Sequence, residues 1–451
     1  MSDHSHDHDE CTGRLDRRGF VQGCGAALAL AAGGTSLEAV AAQENTADVA
    51  ALLDGLPDNW GRWGEDDELG ALNLLDSEAA FRGMLTTIRG GPTNIGRFTL
   101  QLPVTGEVIN PDPADPETVL APGDGSDPQF PSTDVGDPAF PPRTPGRRTN
   151  TTPPEGSPVA GGVRFADDKF AADLFLQGTT HVDALGHAWY GDQLYNGFDA
   201  ATTGAEKSFD TALDGTRTTD AVVEESEQAS LEPFDTTTGL DRAAITNAAD
   251  AGIAGRGVLL DVGRYAEESD EQHRLPLGYE ITLQDLLNTA DAQGVDVEDR
   301  DILLIRTGST ARTRDPEAAW APLGEAGIVF SEELVEWVYE KDIPYIGADN
   351  LAVEKVAQVI DGETYVIPLH GAFLRNLGVT LNEILWLEDL GAACAADGIY
   401  DFLFVAAPLN VERATGAPVN PVVLKATGRG PGGKGREGHD SDDDEGDDTD
   451  D

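Results

Sequence analysis

Cysteine is nearly missing from this chain. There are three in 451 residues, and Cys11 and Cys24 precede the expected cleavage point of an export signal. Cys394 is then alone, so a disulfide framework is excluded. It sits in an alanine-rich stretch and reads as a small core residue. Lysine is scarce as well, with six residues, and Lys plus Arg total 30 against 82 acids, for a net charge of −52. That balance excludes a nucleic-acid partner, which requires basic patches. No apolar run is long enough to span a membrane; residues 26–32 are too few and are broken by Gly33 and Gly34. Histidine is rare in the expected folded part. Of eight, His4, His6 and His8 lie near the N-terminus and His439 lies in an acidic tail. His181, His187, His273 and His370 remain.

What is present is acid, spread along the whole chain. So large an excess of one sign repels itself unless salt screens it. At molar salt the screening length falls to roughly 3 Å. The composition resembles that of proteins from salt-loving archaea and implies a halophilic source. At the N-terminus, Asp16-Arg17-Arg18-Gly19-Phe20-Val21 precedes the apolar residues 26–32 and the small residues Ala39-Val40-Ala41-Ala42. This reads as a twin-arginine signal peptide over residues 1–42, hence an extracellular or cell-surface protein. Residues 43–425 form the folded domain. Within it, residues 105–160 are rich in Pro, Gly and Asp, and read as an excursion over the surface. Residues 426–451 read as a disordered acidic tail. Asn150-Thr151-Thr152 fits a glycosylation sequon. Residues 428–434 imitate a phosphate loop, but neither Ser nor Thr follows Lys434 and no helix follows, so they are set aside.

Residues 44–100 read as mostly helical, with Trp60 and Trp63 near their start. From about residue 160 the chain alternates apolar runs with helical stretches. Val258-Leu259-Leu260-Asp261-Val262, Ile302-Leu303-Leu304-Ile305-Arg306 and Phe402-Leu403-Phe404-Val405-Ala406 are continuous runs. Such runs suit strands buried on both faces. Residues 282–293 and 331–341 each begin with a capping residue and carry apolar side chains at helical spacing. The fold class is α/β. Arg306, ending its run, is expected to pair with a buried acid such as Asp349, and Glu354, five residues after Asp349, could support the site without an assigned role. His273 lies in a polar stretch and reads as exposed.

Two of the four histidines fall within seven residues, in His181-Val182-Asp183-Ala184-Leu185-Gly186-His187. Imidazole and carboxylate are the usual ligands of zinc and manganese. In a strand, residues i and i+2 share a face, so His181 and Asp183 could present nitrogen and oxygen to one ion. Gly186 would let the chain turn and return His187 to the same pocket. A surface pair or a buried hydrogen bond would satisfy the same spacing.

The longer stretch Gln177-Gly178-Thr179-Thr180-His181-Val182-Asp183-Ala184-Leu185-Gly186-His187 resembles the signature of the cyclase family of metal hydrolases, which includes kynurenine formamidase and isatin hydrolase. Trp63-Gly64-Glu65-Asp66-Asp67-Glu68-Leu69-Gly70-Ala71-Leu72-Asn73 resembles the N-terminal signature of the longer members. Tyr195-Asn196-Gly197, Leu304-Ile305-Arg306-Thr307-Gly308, Gly347-Ala348-Asp349, residues 370–383, and Ala407-Pro408-Leu409 with Thr415-Gly416-Ala417-Pro418-Val419-Asn420-Pro421 fit as well. The resemblance implies a swivelling β/β/α domain, with a mixed, barrel-like sheet surrounded by helices, and a homodimer or higher homo-oligomer. It implies that His181 and Asp183 are metal ligands and that His187 transfers protons. His370 and Glu383 would lie across the pocket and bind a second ion in two-metal members. Gln177 stands where the family has its first histidine, and Leu185 where it has proline. Gln177 is thus a weak ligand position, and the site holds one or two ions of Zn2+ or Mn2+.

The chemistry that follows is hydrolysis of a C–N bond in a small amide, with an aryl formamide or lactam as the substrate, as in an arylformamidase. A divalent ion acidifies water and polarises a carbonyl, and an imidazole near its ordinary pKa can pass the proton to a leaving nitrogen. Trp189 and Tyr190 could wall the pocket. Kynurenine formamidase suggests a place in tryptophan catabolism. Two alternatives stay open: a metal-dependent lyase or cyclase acting on a small carbonyl compound, and a non-catalytic secreted binding protein.

Overall fold

The continuous apolar runs become the middle of one large sheet. The computed structural model describes residues 47–428, except 92–93, 105–145, 147, 151–156, 159–163, 166–167, 171–173, 209–235, 316 and 319–323. The expected signal peptide, most of the 105–160 excursion with Thr151 and Thr152 of the sequon, and the chain beyond residue 428 lie outside the described residues.

Nine strands form the principal sheet: β1 (Ile95–Thr99), β2 (His181–Asp183), β3 (Ile253–Leu260), β4 (Ile302–Ile305), β5 (Tyr345–Ala348), β6 (Thr380–Glu383), β7 (Asp401–Ala406), β8 (Gly416–Pro418) and β9 (Val422–Ala426). Their spatial order is β1-β9-β7-β3-β4-β5-β6-β2-β8. From β3 to β6 the neighbours run parallel. On both flanks they run antiparallel. The result is a mixed, curled sheet, half a barrel in form, with helices around it. This is the α/β class that the sequence implied.

Three of the five helices below start at a side-chain cap. Among the described residues, α1 (Ser77–Ile88) follows Asp76, whose carboxylate accepts from the N–H groups of Glu78 and Ala79. Helix α2 is Ile245–Ala251. Helix α3 (Leu283–Gln293) opens on a capping box between Thr282 and Asp285 and ends at Gly294, which takes the left-handed conformation. Helix α4 (Glu332–Glu340) is capped by the Ser331 hydroxyl, and α5 (Glu388–Asp397) ends at a left-handed Gly398. No described helix is long and apolar enough to cross a membrane.

Strand alternation divides the core in two. Val258, Leu260, Leu303, Ile305, Ile346 and Ala348 face one cluster. Leu259, Ile302, Leu304 and Tyr345 face the other. Every side chain of β4 is therefore buried, which a period-2 backbone between two packed layers requires.

One pairing differs from expectation. Arg306, 1% exposed, bonds to Asp261 at 2.7 Å and to both oxygens of Glu388 at 2.9 and 2.8 Å. Asp349 instead accepts from Thr307 N–H, the Thr307 hydroxyl and Gly308 N–H. The guanidinium reaches across to the start of α5, and the turn after β4 claims Asp349.

Candidate metal centre

His181 and Asp183 lie two apart on β2 and leave the same face of the sheet. Val182 points the other way, into the second core. Strand β6 lies antiparallel to β2, with Glu383 directly opposite His181. On the other side, Gly416 of β8 is opposite Asp183. A Cβ at Gly416 would sit 2.9 Å from Gln177 Nε2 and 3.4 Å from Asp183 Oδ1. Glycine here leaves room for both side chains.

The three side chains converge. His181 Nε2 is 3.3 Å from Asp183 Oδ1 and 3.2 Å from Glu383 Oε2. His370 Nε2 is 3.2 Å from Glu383 Oε1 and 3.9 Å from Asp183 Oδ2. His187 Nε2 is 3.8 Å from Asp183 Oδ1, and its ring centre is 6.3 Å from that of His370. Of the five side chains His187 is the most open, 24% exposed. His181 Nδ1 lies 2.7 Å from the Thr179 carbonyl. A carbonyl only accepts, so Nδ1 carries the proton and Nε2 faces the carboxylates.

Seven buried side-chain polar atoms among the described residues have no hydrogen-bond partner. Four of them are here: His181 Nε2, Asp183 Oδ1 and Oδ2, and Glu383 Oε1. A buried carboxylate or imidazole left unpaired is costly. One ligand atom each from His181, Asp183 and Glu383 fall within 4.8 Å of one another, so a single cation can satisfy them together. The donors fit a divalent metal ion in type, burial and spacing.

Electrostatics points the same way. Burial acts to raise the Asp183 pKa, yet His187, His181 and His370 hold it well below the usual carboxylate range. Glu383 is lowered too, against burial and the Asp183 charge, by His181 and His370. Burial pulls His181 down, but Asp183 and Glu383 outweigh it and lift its pKa to about 10. The two anions thus favour positive charge, which a divalent ion could provide in place of imidazole protons. Burial lowers His187 below the ordinary imidazole value, against the pull of Asp183.

The local turns differ from expectation in their reasons. Residues 184–187 do form a turn, with His187 N–H donating to the Ala184 carbonyl at 2.9 Å. Gly186 is needed there for space: a Cβ would lie 2.8 Å from Leu240 and 3.2 Å from the Ala243 carbonyl. Gln177 lies beside the cluster, its amide nitrogen 2.7 Å from Thr415 Oγ1. Trp189 is 41% exposed. Tyr190 is half-buried, with its hydroxyl on Asn376 and Arg375 stacked 3.9 Å over its ring. His273 is half-buried and its carbonyl accepts from Arg306.

Two features of the site were not legible in the sequence: the π-helix that carries His370, and the role of Glu354. His370 ends a single helical turn and enters a π-helix, Gly371–Leu377, an element enriched at functional sites. Its last carbonyls are satisfied from far away: Asn59 N–H bonds to Asn376 O, Asn59 Nδ2 to Leu377 O, and Trp60 Nε1 to Arg375 O. The N-terminal signature is likewise scaffold. Asp67 accepts from Gly70 N–H, Asn73 and the Tyr195 hydroxyl, and Glu68 from Ala243 N–H and Arg242. The second feature is Glu354, whose Oε1 lies 2.7 Å from His370 Nδ1. In the sequence it stood out only as an acid five residues after Asp349 that could support the site, with no role assigned.

Known proteins supply the remaining context. The model of the Cyclase family matches residues 128–355, half of the chain, which includes the His181–His187 segment and stops before His370. No curated protein matches. A crystal structure described as a novel cyclase is 30% identical over 82% of this chain and 100% of its own, with a TM-score of 0.58. Isatin hydrolase A from Labrenzia aggregata is 15% identical, over 76% of this chain and 98% of its own, with a TM-score of 0.40. The Ralstonia solanacearum enzyme of the same name is 14% identical, over 76% and 95%, with a TM-score of 0.40. A family match over half the chain and a relative matched along its entire length lead to one conclusion: this chain belongs to the cyclase family.

Proposed function

We propose that this protein is a metal-dependent hydrolase that cleaves the C–N bond of a small amide, an aryl formamide or a lactam. One observation carries the reading: four orphaned buried atoms of His181, Asp183 and Glu383 converge beside His370 and His187. A mere scaffold gains nothing from that set. His181, Asp183 and Glu383 hold the ion, His370 extends the ligand set, and Gln177 stands at its edge. Two imidazoles with two carboxylates suit Zn2+ or Mn2+. When bound, the ion supplies Lewis acidity, easing proton loss from water and stabilising charge on a carbonyl oxygen. His187, at the open side, removes that proton and returns it to the leaving nitrogen. Its lowered pKa leaves the ring neutral and able to accept at neutral pH. We also read the protein as exported folded by the twin-arginine route, with its metal already in place, in a salt-rich setting.

The test is metal content per chain in protein purified at high salt, together with hydrolysis of an N-formyl arylamine and of a lactam, with and without chelator. One or two equivalents of Zn2+ or Mn2+ with chelator-sensitive hydrolysis supports the reading. Metal without hydrolysis of either compound moves the chemistry to a lyase or cyclase. No metal under any loading condition ends it.

A further inference from the structure

We propose that Glu354 is a positioning residue that acts through His370, fixing the ring so that Nε2 is delivered to the metal pocket. The inference rests on reading the cluster as a metal centre. Glu354 is 2% exposed, and both its oxygens are occupied. Oε1 accepts from His370 N–H and lies 2.7 Å from His370 Nδ1. Oε2 accepts from Leu369 N–H at 3.0 Å and from Gln358 Nε2 at 2.7 Å. Among the described residues His370 is the only basic side chain paired with this buried carboxylate. Neighbouring Lys355 turns away to Glu280.

A carboxylate that only accepts puts a proton on Nδ1 and aims Nε2 at Glu383 and Asp183. His181 receives the same service from a neutral carbonyl, that of Thr179. The two imidazoles therefore differ as ligands: His370, backed by an anion, is the more basic donor. Glu354 also grips the backbone at the turn that carries His370, so it orients both the ring and its support.

The backbone around this contact is strained. Ten non-glycine residues among those described have positive φ, and three of them are β-branched: Val353 at 57°, Ile367 at 42° and Ile384 at 57°. Val353 precedes Glu354, Ile367 lies three before His370, and Ile384 follows Glu383. Left-handed φ is a real outlier for such residues and tends to occur at functional sites. At Val353 the Glu354 N–H donates to the Ala352 carbonyl, closing a γ-turn. Ile367 N–H bonds to the Val356 carbonyl at 2.9 Å and ties the two strained segments together. The fold accepts strain at the point where it must place this carboxylate.

The experiment uses the full chain at high salt, titrated with Co2+ against a competing chelator, and histidine-15N NMR to follow the Nδ1 proton of His370. Glu354→Ala and Glu354→Gln are each expected to weaken Co2+ binding about 10- to 100-fold, shift the Co2+ visible spectrum and move the His370 Nδ1 proton upfield. Glu354→Asp should recover part of all three. A folded Glu354→Gln protein with wild-type affinity, spectrum and Nδ1 resonance overturns the proposal, and this variant serves if Glu354→Ala does not fold. If the wild type takes up no Co2+, the metal reading falls. The Nδ1 resonance then still decides whether Glu354 holds the ring.

Discussion

His187 and Asp183 are 3.8 Å apart yet have different work, and single substitutions separate them. His187→Ala should lower turnover by about 10²- to 10⁴-fold while metal content stays at the wild-type level; loss of the metal would make His187 a ligand. Asp183→Ala should lose metal and activity together, because both of its unsatisfied oxygens face the shared position. An active Asp183→Ala protein would remove the site assignment. At this scale the sequence was legible where spacing is short. His181, Asp183 and His187 stand together in seven residues, and the strand period alone aligns the first two. His370 and Glu383 came from the family resemblance. The partner of Glu354, which stood out only as a possible support, and the partners of Arg306 were illegible, because which acid meets which base is decided across the fold.

Elements formed where their termini announced them. Thr282 and Asp285 close a capping box on α3, so Thr282→Ala should cost about 1 kcal/mol, read from chemical denaturation at high salt. A loss below a few tenths would mean that packing alone holds that end. Arg306 joins β4 to Asp261 and Glu388. Removing it takes the guanidinium from Glu388 and leaves the wholly buried Asp261 with Arg264 alone, so Arg306→Ala should destabilise by about 3–5 kcal/mol. A near-neutral result would show that water replaces the guanidinium. The π-helix was not legible, because its carbonyls are satisfied by Asn59 and Trp60 from the other end of the domain. The register of β2 between β6 and β8 was hidden for a similar reason: a three-residue strand carries no pattern long enough to name its neighbours.

The whole molecule carries 82 acids against 30 cations, and its stability should follow ionic strength. Moving from molar salt to about 0.1 M lengthens screening to roughly 10 Å, and the melting temperature should fall. Equal melting temperatures in both buffers would refute the halophilic reading. Metal should act in the opposite direction. Zn2+ or Mn2+ at about 100 times its dissociation constant should stabilise the native state by about 2.7 kcal/mol, as a chelator-reversible rise in melting temperature. No shift at saturation would mean that the ion is not bound by the folded form.

Composition, apolar runs, capping residues and the His181–His187 spacing are local or additive properties, so the sequence by itself determined the α/β class, the charge regime and half of the candidate site. The other half depended on contacts between distant segments. Strand β6 had to lie beside β2 to set Glu383 against His181. A γ-turn at Val353 had to carry Glu354 to His370. Asn59 and Trp60 had to close the helix behind it. Those contacts are selected by the packing of the whole core, which fixes long-range pairings that no short window of sequence contains.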